Sequence, residues 1–312
     1  VVLRHHRVYD AGARPLYRIG VSSEVFERQL ELLARLGFAP VTIREGLAWL
    51  GAAAEGRRVA LSFDDGYRDN VALALPRLQR YGARATFFLT AGLIEQRLPP
   101  WWDRLAHRIE HAAVPAIEWT IEGDTARLPL GAFAERRAAL ARLLPVMRVA
   151  PELQERRLQE LGDRLRVTGE PGCELATWDE LGALAAAGME VGAHSLTHPF
   201  LSRLSPERQD AEIGGAVEVI ERRMGIRPEG MAYPGGDYDA ATLAACARLD
   251  LRYAVTTRRA DARPGDAPFE VPRRGLSEGA CLGPFGRFSS RMATAELAGA
   301  FDGWRPNAVA AS

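Results

Sequence analysis

A rhythm restricts the fold of this chain more than any other feature: short runs of β-branched and aromatic residues alternate with longer segments of helical period. Such alternation argues for parallel strands joined by crossover helices, the α/β class. Strands are expected at residues 1–3, 39–43, 59–63, 85–90, 189–193, 230–233 and 253–256. Between the first two, Ser22 and Ser23 precede Phe26, Leu30, Leu33 and Leu36, an apolar stripe at three- and four-residue spacing that stops at Gly37. That pattern predicts a capped amphipathic helix. Ser205-Pro206 followed by Ile213, Val217, Ile220 and Met224 predicts another, with Pro in the first turn and Gly225 as the stop. Residues 178–187, closed by Gly188, predict a third.

The interval from about 96 to 173 breaks the rhythm. It holds Arg-, Leu- and Ala-rich helical patterns and one weak strand signal at residues 117–121, so a mainly helical insertion is expected within a domain spanning 1–276. Residues 277–312 are richer in Gly, Ser and Ala and are expected to form a tail of uncertain structure, flexible in part. The 312 residues, 47% hydrophobic and 26% charged, suffice for a substantial core. Forty basic and forty acidic side chains cancel, so no overall field favours nucleic acid or an anionic membrane. No stretch reaches the roughly 18 apolar residues needed to span a bilayer. Cys173, Cys246 and Cys281 stand at unrelated spacings without a CxxC pair, which predicts mostly buried free thiols. Val1-Val2-Leu3 follows no charged leader, making the cytoplasm the first expectation; the missing initiator Met leaves a removed leader, and an envelope or secreted location, as the alternative. Nothing in the sequence bears on oligomeric state.

Two segments carry chemistry. In Leu61-Ser62-Phe63-Asp64-Asp65-Gly66-Tyr67, adjacent carboxylates end a buried strand. Close carboxylates repel, so they persist where a metal neutralises one and leaves the other as a base of tuned pKa; the alternative is an Asx turn before a helix near Asp69. In Gly192-Ala193-His194-Ser195-Leu196-Thr197-His198-Pro199, two of six histidines fall four residues apart after another strand. In a tight loop or first helical turn both imidazoles can reach one side, and two His with one carboxylate form an open zinc site; alone, HxxxH is equally a pair of hydrogen-bonded core histidines. Both segments fall at carboxyl ends of strands, where α/β folds place active sites. A third, Met231-Ala232-Tyr233-Pro234-Gly235-Gly236, offers a turn whose backbone N–H could face an oxyanion, or an ordinary Pro-Gly turn.

In this order the three segments resemble those of the polysaccharide deacetylases of carbohydrate esterase family 4, the NodB homology family. Ser62-Phe63-Asp64-Asp65-Gly66 is similar to its first motif, and His194-Ser195-Leu196-Thr197-His198 matches its second, HSxxH, in full. The resemblance covers roughly 1–95 and 174–276. It implies a distorted (β/α) barrel of about seven parallel strands. It also implies one divalent ion, zinc first with Co2+ or Ni2+ as alternatives, on Asp65, His194 and His198, with Asp64 as base. Ser195 and Thr197 are expected to shape the loop and hydrogen-bond to the ligands.

The sequence departs from the family pattern twice. Ala232 stands where an Arg usually orients the base, and Arg273, in Val271-Pro272-Arg273-Arg274-Gly275, is the candidate replacement unless it is a surface Arg. No His follows His198, so the late motif that supplies the general acid is missing. Leu3-Arg4-His5-His6-Arg7-Val8 resembles the Tyr-His-Arg-Val start of members whose acid lies on the first strand, which makes His6 the candidate acid and His5 the residue at the Tyr position; a structural role for His6 is the alternative. Gly235 is the candidate backbone donor to an oxyanion. His107 and His111 are expected on a solvated helix face, and at least one of Trp101 and Trp102 is expected to anchor the insertion on the barrel.

The implied function is metal-dependent hydrolysis of an N-acetyl group from an amino sugar or N-acetylhexosamine glycan, with a carbohydrate as partner. Removal of another acyl group, an acetyl ester or a formamide, and a silent glycan-binding module are the alternatives.

Overall fold

The β-branched and aromatic runs become strands in the computed structural model, which describes residues 1–52, 55–121 and 123–302. In chain order these are β1 (Val2–His5), β2 (Arg7–Tyr9), β3 (Gly20–Ser22), β4 (Phe38–Val41), β5 (Arg57–Phe63), β6 (Thr86–Leu89), β7 (Ala116–Ile121), β8 (Asp124–Pro129), β9 (Glu190–Ala193), β10 (Gly230–Ala232), β11 (Tyr253–Val255) and β12 (Arg274–Gly275). β5 starts exposed and ends in an unbroken buried run from Val59 to Phe63, as a strand covered on both faces requires.

Among the described residues one eight-stranded parallel sheet organises the molecule, with the order β11-β10-β9-β6-β5-β1-β12 and β4 paired beside β5. β4 lies against the first half of β5, and β6 against Ser62 and Phe63. Val271 bridges Val255 of β11, and β12 just beyond it pairs with β1, so residues 271–275 join the two edges of the sheet. This is the expected distorted (β/α) barrel. Parallel pairing brings the carboxyl ends of β1, β5, β9 and β10 to one rim. One face of the strands packs Val2, Ala60, Phe88, Ala232 and Val255 together, while Leu3, Leu61, Phe63 and Phe87 pack in the core shared with the helices. In the helix Ser23–Arg35 the capping Ser22 hydroxyl accepts from the Val25 N–H, and Phe26, Leu30 and Leu33 are buried. Ser205 caps the helix Pro206–Met224, which Gly225 closes in the left-handed conformation.

Three features depart from the sequence expectations. Between the barrel strands, helices Trp101–Glu110, Phe133–Leu143 and Pro151–Leu165 share an apolar cluster with a β7–β8 hairpin, of which only β7 had a sequence signal. β8 buries Leu128 alone, so it shows no usable alternation. β2 and β3 pair as a small separate sheet. The stretch from 277 is not flexible throughout: it carries helices Glu278–Cys281 and Ser290–Leu297, whose Cys281, Ala293 and Leu297 enter the main core, and Gln29 donates to the Leu276 carbonyl. The remainder of the expected tail, 303–312, lies outside the described residues. Cys246 and Cys281 are buried and Cys173 half-buried, all as free thiols. No described helix is long and apolar enough to cross a membrane.

Candidate metal centre

Asp64 and Asp65 follow β5 at the barrel rim. Asp65 has φ 76°, a left-handed backbone that a non-glycine residue holds only where its surroundings fix it. The Thr90 hydroxyl contributes to that by donating to the Asp65 carbonyl at 2.7 Å. The loop after β9 is also tight rather than helical: Ser195 and His198 have φ of 59° and 61°. His194 Nδ1 lies 2.7 Å from the Ala232 carbonyl, which can only accept, so this nitrogen carries the proton and Nε2 presents its lone pair.

His194 Nε2 and His198 Nε2 stand 3.5 Å and 3.8 Å from Asp65 Oδ1. Ligating atoms of the three residues all lie within 4.8 Å of one another, and all three side chains are buried. Both Asp65 oxygens and the Nε2 atoms of both histidines have no hydrogen-bond partner among the described residues. Buried polar atoms are seldom left so, at about 1–3 kcal/mol each. Burial, with Asp64 and Asp103 adding to it, pushes the Asp65 carboxyl well above its usual range. Burial drives His194 and His198 down, so both imidazoles are neutral. Convergent acceptors with no donor between them call for a cation, and two neutral imidazoles with a carboxylate are the donor set of an open zinc site. The residues present fit a divalent ion.

Asp64 sits beside this cluster with a different fate. Arg273, 1% exposed, donates from Nη1 to its Oδ1 at 2.7 Å and from Nη2 to its Oδ2 at 2.8 Å. The same guanidinium is fixed by donating to the Ser62 hydroxyl and the Thr256 carbonyl. Burial opposes ionisation of Asp64, but the Arg273 charge overrides it and holds the carboxyl well below the usual range. The two adjacent acids are thereby pushed in opposite directions. His6 is buried with Nε2 unpartnered and 3.9 Å from Asp64 Oδ2; burial takes its pKa down to about 3 against the pull of Asp64. Gly235 is buried in the turn after β10 with φ 59°, where Gly236 and Asp237 donate to the Tyr233 and Pro234 carbonyls. His5 points elsewhere, stacking on Phe63 and bonding Gln29.

Of the residues that support this cluster, Glu212 had no sequence signal. Glu212, on the helix Pro206–Met224, accepts from the N–H groups of Leu196 and Thr197 and from the Thr197 hydroxyl. Ser195 Oγ accepts from the His198 backbone N–H at 3.0 Å. Ser195 and Thr197 therefore hold the loop backbone rather than the ligand imidazoles. Trp102, fully buried, stands edge-on to His198 with centroids 4.4 Å apart and donates to the Tyr67 hydroxyl, which donates to Asp103. It ties the inserted helices to the loop that carries His194 and His198, leaving no exposed ring to stack on a ligand. His107 and His111 lie one turn apart on the more open side of their helix, away from this cluster.

The polysaccharide deacetylase family model matches residues 51–254. The chain is similar to YxkH of Bacillus subtilis (strain 168), 19% identical over 293 residues covering 93% of this chain and 76% of that one. Among solved structures, the Streptococcus pyogenes deacetylase PplD in complex with acetate superposes with TM-score 0.61 at 18% identity, covering 89% of this chain and 92% of that one. IcaB from Ammonifex degensii gives 0.59 at 20%, with 90% and 92% covered. These two likenesses describe the fold.

Proposed function

The chain belongs to the polysaccharide deacetylase family, and from that premise we propose that it hydrolyses the N-acetyl group of an amino sugar in a glycan, using a divalent ion held by Asp65, His194 and His198. The observation that carries the reading is the set of buried, unpartnered acceptors on those three residues beside an ionised, Arg-clamped Asp64.

When bound, the ion would acidify the attacking water and polarise the acetamide oxygen, which a base as weak as Asp64 requires. Asp64, kept ionised by Arg273, accepts the proton of the water as its oxygen adds to the acetamide carbon. The N–H of Gly235 meets the negative charge that develops on the carbonyl oxygen. His6 is neutral in the resting protein, so its Nε2, 3.9 Å from Asp64 Oδ2, takes over the proton that Asp64 drew from the water and gives it to the sugar nitrogen, leaving Asp64 ionised again. The C–N bond breaks, leaving acetate and a free amine.

The test is acetate release from N-acetylglucosamine oligomers after chelation and zinc re-addition. The reading expects release to vanish on chelation, return with zinc, and fall by about 10²- to 10⁴-fold in Asp64→Asn, the usual span for a general base. Release from acetyl-ester or formamido sugars alone would move the activity to another acyl group.

A further inference from the structure

Arg4 is the one residue of β1 that breaks the pattern of its neighbours, because it places a guanidinium in an otherwise enclosed part of the barrel. Its side chain is half-buried and its Nη1 is shut from solvent with no hydrogen-bond partner among the described residues. The carboxylate that favours its charge is Asp64, whose two oxygens are both taken by Arg273. Burial lowers the Arg4 pKa to about 10, Arg273 and Arg259 adding to the drop and Asp64 opposing it, so the group remains a cation at neutral pH. A guanidinium nitrogen shut from water without an acceptor is costly, and an anionic ligand would supply one.

The surroundings fit such a ligand. Arg4 and His6 line a pocket of about 160 Å³ with Gly275, and a Cβ built on Gly275 would lie 3.7 Å from Arg4 Nη2. The pocket shares Arg18, Gly20 and Ser277 with a larger surface groove of about 570 Å³ whose wall includes Arg14, Arg137 and Glu278, the last paired with Arg18 at 2.6 Å. Arg14 and Arg137 put positive charge on that groove beside the Arg18–Glu278 pair, and the adjoining pocket holds both the candidate acid and the Arg4 guanidinium.

We propose that Arg4 binds an oxyanion, phosphate or carboxylate, carried by the amino-sugar substrate next to the acetamido group. The inference rests on the deacetylase reading and deepens it: the substrate is an anionic amino sugar rather than neutral chitin-like chain. Arg suits the task because its planar fork pairs with two oxygens at once.

The experiment compares acetate release from N-acetylglucosamine oligomers, N-acetylglucosamine 1-phosphate and a disaccharide of N-acetylglucosamine with glucuronate, in the zinc-loaded parent, Arg4→Gln and Arg4→Lys, with melting curves to check folding. The parent is expected to favour one charged sugar by about tenfold or more in kcat/KM, the factor equal to 1.4 kcal/mol. The ratio should fall towards one in Arg4→Gln and be partly kept in Arg4→Lys. A phosphate preference or a uronate preference identifies the oxyanion. Equal rates on charged and neutral sugars, or a preference that survives Arg4→Gln, overturns the proposal and leaves the deacetylase reading standing. If no sugar releases acetate, that reading fails instead, and calorimetry with inorganic phosphate decides for Arg4: saturable binding lost in Arg4→Gln supports the subsite, and no binding overturns it.

Discussion

At the scale of single residues, the site depends on splitting two neighbouring carboxylates. Asp64 and Asp65 are adjacent in sequence and both buried, yet Arg273 keeps the first ionised while burial, with Asp64 and Asp103, pushes the second up. Arg273→Ala should therefore leave the proposed metal ligands intact but abolish the split. Activity should drop by about 10²-fold or more, with zinc still bound, and stability should fall by about 3–5 kcal/mol because Asp64 is left as an unpaired buried charge. Steady-state rates, zinc content and denaturant melts check the three parts. Asp64, Asp65, His194 and His198 were legible because each pair lies within five residues at a strand end. Arg273 was legible only through a resemblance and the absence at Ala232. Its pairing with Asp64 spans 209 residues and arises from the closure of the sheet, which no local spacing encodes.

At the scale of elements, the loop with both histidines is gripped from two sides. The first N–H groups of the helix Ala91–Gln96 donate to it: Ala91 to the Ser195 carbonyl at 3.2 Å and Gly92 to that of Leu196 at 2.9 Å. Glu212 holds the opposite side. Gly92 has no room for a side chain, since a Cβ there would lie 2.8 Å from the Leu196 oxygen. Gly92→Ala and Glu212→Ala should each weaken zinc binding by about 10- to 100-fold, the usual effect of removing supports behind metal ligands, while the sheet stays folded. Chelator competition measures the first quantity and far-UV circular dichroism the second. Neither residue was legible, because Glu212 reads as one more acid on a polar helix face and Gly92 as an ordinary helix glycine. The strands of the barrel were legible because burial on both faces demands continuous apolar runs. β8, with one buried side chain, and the two-residue β12 carry no such demand.

At the scale of the whole molecule, the inserted segments have their own apolar cluster and meet the barrel at the metal-site loop through Trp102. An ion-pair knot also fastens the insertion: Arg104 and Arg108 both donate to Glu170. Burial works against ionisation of Glu170, but the two guanidinium groups hold it down to about 2. A carboxyl whose folded pKa lies below its unfolded value stabilises the fold above the unfolded pKa and loses that contribution as pH falls through the folded one. The parent should melt above Glu170→Gln at neutral pH, with the gap closing between about pH 5 and pH 2. The gap should be modest because the Glu170 side chain is 42% exposed. In the described part from 277 onward, packing replaces the expected flexibility because Ala293 and Leu297 are few but well-placed apolar residues, a pattern too sparse to distinguish from a linker.

The central claim is that Asp65, His194 and His198 exist to hold a metal, and metal content tests it most directly. Elemental analysis of the purified protein, followed by calorimetric rebinding of zinc after chelation, should give one zinc per chain. His198→Ala should lose more affinity than the roughly 10- to 100-fold that outlying hydrogen bonds carry. No saturable zinc binding by the parent, or equal binding by His198→Ala, would contradict the account.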